Sequence, residues 1–187
     1  MAVCGAFVLA AITTRVGNSV EVAAVAIYLI GLLAMFGLSA VYSLWPVSPF
    51  KWWLRRLDHS AIYLLIAATY TAFLLPMDGA TPAATLAIVW TAALAGMLIK
   101  ILWPGRLDRM SIVLCLAMGW SGVFAIASIA SLPPATLFLI TVGGLLYSVG
   151  VVFYLWNSLR FQHAIWHGFV LTGATCHYAA LLTSLAR

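Results

Sequence analysis

Two histidines four residues apart, His163 and His167, and an aspartate beside a third histidine, Asp58 and His59, are the side chains here whose types and spacing suit chemistry. On a helix the i, i+4 spacing sets both imidazoles on one face about one turn apart, where they can ligate a single metal ion. With Asp58 holding a water, such an ion keeps an open position, the arrangement that brings a bound water's pKa towards ~7 and makes a nucleophile for hydrolysis. The fourth histidine, His177, lies roughly 21 Å further along the helix axis from His163 at about 1.5 Å per residue, too deep to share that coordination sphere. The same residues also have plain structural readings. Asp58 can cap a helix through the amides that follow it, and His163 and His167 can be interfacial side chains beside Arg160.

The elements that must position these groups follow from composition. Of 187 residues, 65% are hydrophobic and only 7% charged, too few polar side chains to clothe a soluble domain of this size. Lipid is therefore the solvent, and the fold class is all-α integral membrane. A helix crossing the hydrocarbon core needs about 20 apolar residues. Cutting at charges, prolines and small polar clusters predicts spans near 2–14, 22–45, 60–75, 82–102, 110–132, 135–156 and 161–185. Pro46, Pro49, Pro104, Pro133 and Pro134 mark the breaks. The span at 2–14 is short, and it lacks the basic start and cleavage site of a signal peptide. No composition break or repeat divides the chain, so residues 1–187 read as one transmembrane domain of seven helices.

Charge orients the bundle. If the spans alternate, the loops after the second, fourth and sixth share one side and hold Lys51, Arg55, Arg56, Arg106, Arg109 and Arg160, with Lys100 at the rim, against Arg15 and Arg187 opposite. The positive-inside rule then places the N-terminus in the cytoplasm and the C-terminus outside. The net charge of +5 is thus topological, and no nucleic-acid partner is implied. Cys4, Cys115 and Cys176 lie apart in apolar runs and read as packing residues. The tryptophans fall mostly near span ends, as an aromatic belt does. Gly144 with Ser148, and Ser121 with Ala125, are the small-residue pairs expected to let backbones approach.

The run 57–71, from Leu57-Asp58-His59-Ser60 to Thr69-Tyr70-Thr71, and the run His163-Ala164-Ile165-Trp166-His167-Gly168-Phe169-Val170 with His177-Tyr178 beyond it, resemble the signature segments of the hemolysin III family. Residues 143–150 are similar to that family's sixth helix, so the likeness covers nearly everything from Ser39 onwards. The family is related to the progestin and adipoQ receptors and, more distantly, to alkaline ceramidases. The resemblance implies a seven-helix bundle with a zinc-type site near the cytoplasmic face. Its ligands would be a second-helix histidine in a Ser, three residues, His pattern and two seventh-helix histidines, with a third-helix aspartate on the metal-bound water. Asp58, His163 and His167 match that pattern, and Ser39 matches its serine. Ser43 stands where the second-helix histidine belongs.

A hydroxyl is a weak zinc ligand beside imidazole, so Asp58 would move from holding the water to ligating directly, with Ser43 hydrogen-bonding behind the ligands. Affinity should fall further than the roughly 10 to 100-fold typical of losing such a supporting group. Ala68 and Ala72 replace the family's usual Gly and Pro and predict a straighter helix. The expectation is therefore a multi-pass protein of a bacterial inner membrane, with minimal loops and no soluble domain of the receptor type. Its zinc site on His163, His167 and Asp58 would hydrolyse a lipid amide or ester, with Asp58 as general base and Ser39 or Ser43 donating to the oxyanion. The competing expectation is a non-catalytic membrane-sensing or homeostasis protein, or a pore former, with a degenerate metal site. Spans this apolar, broken mainly by Thr69, Tyr70 and Thr71, favour sensing over conduction.

Overall fold

The structure, a computed structural model, describes Gly5, residues 8–11, Thr13, residues 18–103 and residues 108–186, with backbone alone at 108 and 109. Every regular element among the described residues is helical, and six stretches are long and apolar enough to cross a membrane. The span expected at 2–14 lies mostly outside the described residues, as do Arg15 and Arg106.

Helix α1 (Ser19–Leu44) starts at a capping box: the Asn18 side chain accepts from the Val20 and Glu21 amides, and the Glu21 carboxylate accepts from the Asn18 amide at 3.0 Å. Helix α2 (Pro49–Leu74) starts at Ser48, whose hydroxyl accepts from the Lys51 amide at 3.3 Å, with Pro49 in the first turn. Helix α3 (Ala80–Leu102) follows Gly79, whose φ of 123° is open to glycine alone.

The start of α2 corrects a sequence expectation. The stretch before Ser60 was cut away because its charges do not enter lipid, and Asp58 was offered a role as the cap. Ser48 is the cap, and Asp58 sits in the helix interior, about three turns in at 3.6 residues per turn. A helix does not end where it leaves the hydrocarbon, since Lys and Arg are good helix formers. The helix then runs unbroken past Ala68 and Ala72.

The next span, expected as one helix over 110–132, is composite. Helix α4 (Asp108–Trp120) gives way to a 3-10 segment (Ser121–Ala125) and then to the short α5 (Ile126–Ile129). Helix α6 (Pro134–Leu155) has Pro134 in its first turn, and α7 (Gln162–Leu185) is entered through Phe161 at φ 64°. A bulky residue in the left-handed region is a strained pivot, held here by the Arg160 guanidinium 4.9 Å from its ring centroid.

The chain falls into two compact units, Met1–Ser128 and Ile129–Arg187. In the first, α2 is the central helix. Gly31 of α1 lies so close to it that a Cβ there would stand 2.7 Å from the Ala68 Cβ, and Gly96 of α3 gives way to the ring of Tyr63. Tyr63, Ala67, Val89, Ala93 and Met118 form the buried cluster. In the second unit α6 and α7 pack as a hairpin. A Cβ on Gly143 would stand 2.6 Å from the His177 ring, one on Gly150 would stand 2.8 Å from the Phe169 Cβ, and Gly173 faces Tyr147.

Of the small-residue pairs named from the sequence, Gly144 with Ser148 lies off the helix contact. A Cβ on Gly144 would meet nothing within 4 Å, and Ser148 turns its hydroxyl back to the Gly144 carbonyl at 2.9 Å. The contact row is one residue earlier, at Gly143 and Gly150, because a seven-residue step returns to nearly the same helix face. Ser121 and Ala125 lie in the 3-10 segment, where the 3.6-residue spacing that paired them no longer applies.

Candidate functional site

Helix α7 begins at Gln162, so His163 and His167 occupy its first two turns, and both are exposed. The His163 ring lies edge-on to Tyr154 with centroids 6.0 Å apart, and its Nε2 is 3.5 Å from the Gln162 side-chain nitrogen. Tyr154 also packs on Trp166, at 5.4 Å between centroids, so the start of α7 is seated on the end of α6 by aromatic contacts. This fixes the backbone from which the two imidazoles project on one face.

The remaining expected site residues belong to the first unit. Asp58 is half-buried in α2 beside half-buried His59. Ser39 is half-buried in α1, and Ser43 is exposed in the last turn of that helix. Within each unit, among the described residues, no three His, Cys, Asp or Glu side chains gather. The donor chemistry can still be judged. Two imidazoles on consecutive turns suit zinc and other borderline ions, and a carboxylate suits the same ions, whereas a serine hydroxyl adds little. The imidazoles of His163 and His167 and the carboxylate of Asp58 are thus donor types such an ion accepts, and the hydroxyl of Ser43 is not.

His177 has a different role. Its Nε2 donates to the Ile140 carbonyl of α6 at 3.3 Å, and its ring lies 5.6 Å from that of Tyr147 and against Gly143. It therefore joins α6 to α7. Nearby, Thr136 and Thr183 share a hydrogen bond of 2.8 Å between the same two helices.

Two polar centres were not legible from spacing. Tyr70 of α2 donates to the Gly119 carbonyl at 2.8 Å and accepts from the Gly122 amide at 2.6 Å and from the Ser121 hydroxyl at 3.2 Å. One phenol thus satisfies the main chain freed where α4 turns into the 3-10 segment, which lipid cannot do. The polar triplet Thr69-Tyr70-Thr71 was the visible signal, but its partners lie about 50 residues away. The second is Arg56, whose Nη1 donates to the Ile101 carbonyl at 2.9 Å in the last turn of α3. Tyr63 of α2 adds a bond from its hydroxyl to the Ser111 carbonyl of α4 at 3.1 Å.

Comparison with known proteins places this geometry. The sequence profile of the family described as Haemolysin-III related matches residues 1–178. The chain is 46% identical over 131 residues to the Hemolysin-3 homolog of Bacillus subtilis (strain 168), which covers 69% of this chain and 62% of the relative. It is 45% identical over 128 residues to Hemolysin-3 of Bacillus cereus, covering 67% of the chain and 58% of the relative. With the Monocyte to macrophage differentiation factor of Homo sapiens it shares 33% identity over 170 residues, covering 86% of the chain and 70% of the relative. The matched part is thus about three fifths of the length of the two Bacillus relatives. No solved structure matches the chain. A profile over nearly the whole chain and relatives on both sides of the bacterial boundary agree with the row of apolar helices, and the chain belongs to the Haemolysin-III related family of multi-pass membrane proteins.

Proposed function

We propose that this protein is a metal-dependent hydrolase of a lipid amide or ester, with zinc held by His163, His167 and Asp58. The observation that carries the reading is the pair of exposed imidazoles on consecutive turns at the start of α7. Asp58, in the interior of α2 beyond its Ser48 cap, adds a carboxylate, a donor type that zinc takes. When bound, zinc supplies Lewis acidity and a water acidified towards neutral pH.

The remaining work belongs to side chains. His163 and His167 offer ring nitrogens to the ion, and Asp58 takes a proton from the attacking water as general base. Ser39 or Ser43 donates a hydrogen bond to the oxygen on which charge develops. The same reading places the protein in the bacterial cytoplasmic membrane as a seven-span bundle, N-terminus inside, with the basic loops on the cytoplasmic side.

The test is elemental analysis of the detergent-purified protein beside a His163→Ala, His167→Ala double variant, both checked for monodispersity. Near-stoichiometric zinc in the wild type, lost in the variant, is the expected result, followed by loss of lipid hydrolysis in His167→Ala. Metal absent from both would discard the hydrolase and leave the non-catalytic sensing function in its place.

A further inference from the structure

The first turns of α2 carry cations where a helix ordinarily carries acids. A helix of 26 residues rises roughly 39 Å at about 1.5 Å per residue, more than a hydrocarbon core of about 30 Å. The surplus lies at the Pro49 end, where Lys51, Arg55 and Arg56 precede the apolar stretch, and the first turn holds no acid. Amide N–H groups at a helix start already create positive potential, so these side chains add like to like. Such a concentration is relieved by an anion.

The surroundings say what kind. Trp52 and Trp53 are 53% and 51% exposed, and both are gripped from behind by Arg56, whose guanidinium lies 3.7 Å and 4.6 Å from their ring centroids. With one nitrogen bonded to the Ile101 carbonyl, Arg56 serves as the brace of this platform. Lys51 donates from Nζ to the Trp45 carbonyl at 2.7 Å and lies 5.3 Å from the Tyr42 ring, while an ammonium has two further N–H groups to offer. Arg55 is exposed one turn further along the same row. Beside them Leu44 and Val47 are 86% and 96% exposed, apolar surface that a soluble anion would leave bare and an acyl chain would cover. Tryptophan is itself suited to the headgroup level, with an apolar body and one N–H.

We propose that Lys51 and Arg55, one turn apart on α2 with Trp52 at the edge of their row, form a binding site for the phosphate headgroup of an anionic phospholipid. The phosphate pairs with the two cations, and the Trp52 indole seats the glycerol region. The chains lie along the apolar end of α1 and the loop to α2. The site stands with or without a bound metal, so it survives failure of the hydrolase assignment.

The test uses the full chain in nanodiscs containing either brominated phosphatidylglycerol or brominated phosphatidylcholine, with tryptophan quenching as the readout. A Trp52→Phe, Trp53→Phe variant isolates the signal of the two indoles by difference. Stronger quenching by the anionic lipid is expected. That preference should fall about fivefold for each cation removed in Arg55→Gln and in Lys51→Gln with Arg55→Gln, and should return in Arg55→Lys. Arg160→Gln, the same charge change at an exposed residue of the second unit, should keep the preference in full. Equal quenching of the wild type by both lipids would overturn the site. So would equal loss in Arg160→Gln, which would reveal a general surface field, or displacement by inorganic phosphate at constant ionic strength, which would remove the lipid as occupant.

Discussion

In the first unit α2, α3 and α4 are joined by side-chain polar groups that reach across: Tyr63 to the Ser111 carbonyl, Tyr70 to Gly119 and Gly122, and the Trp90 indole to the Thr71 hydroxyl at 3.0 Å. In the second unit the helices α6 and α7 approach closely where side chains are missing, at Gly143, Gly150 and Gly173, with the bonds of Thr136 to Thr183 and of His177 to Ile140 beside that seam. The contrast follows from backbone regularity. Lipid tails are as apolar as Leu, so burial alone draws no two helices together, and the remaining means are close packing and interhelical hydrogen bonds. Two continuous helices satisfy their own amides, so bonds between them, such as Thr136 to Thr183, add to a close fit and rescue no broken main chain. A span interrupted by a 3-10 segment exposes main-chain groups that must find partners, and Tyr70 is that partner.

The comparison can be broken at each end. The largest effect is expected from Gly143→Leu, which drives a side chain into the His177 ring and the Gly173 carbonyl. Overpacking costs about 1–3 kcal/mol and occasionally more, and a rigid main-chain neighbour puts this position at the upper end. Thermal unfolding in detergent measures it, and an unchanged transition would mean the hairpin does not depend on close approach. Next comes Tyr70→Phe, which leaves the Gly122 amide and Gly119 carbonyl without that partner and should cost about 1–2 kcal/mol. Hydrogen exchange sharpens the point: the Gly122 amide should exchange faster in the variant while amides of α7 keep their rates. The smallest effect belongs to Gly144→Leu, adjacent to Gly143 but facing open space, where the unfolding transition should stay in place. Equal loss at 143 and 144 would refute the packing register.

How much of this was visible in advance depended on range. That the chain is a row of apolar helices followed from its lack of polar side chains, and the breaks at Pro49 and Pro134 from proline's missing N–H. Even so, Pro49 marked the beginning of α2, and the cut at the charges hid three turns of it. The i, i+4 relation of His163 and His167 was equally local, and the helix that carries it is present.

The chain alone determined its solvent, its helical class and the composition of its candidate donor set, because each depends on residue type or on spacing within one element. Only the tertiary structure decided that Gly143 is the contact glycine beside Gly144 and that Tyr70 closes the break in the span built around α4. Those choices turn on which face of one helix meets another. A helix of small and apolar residues offers several nearly equivalent faces, so sequence periodicity does not choose among them, and a phenol's partner nearly 50 residues away leaves no mark in the residues beside it.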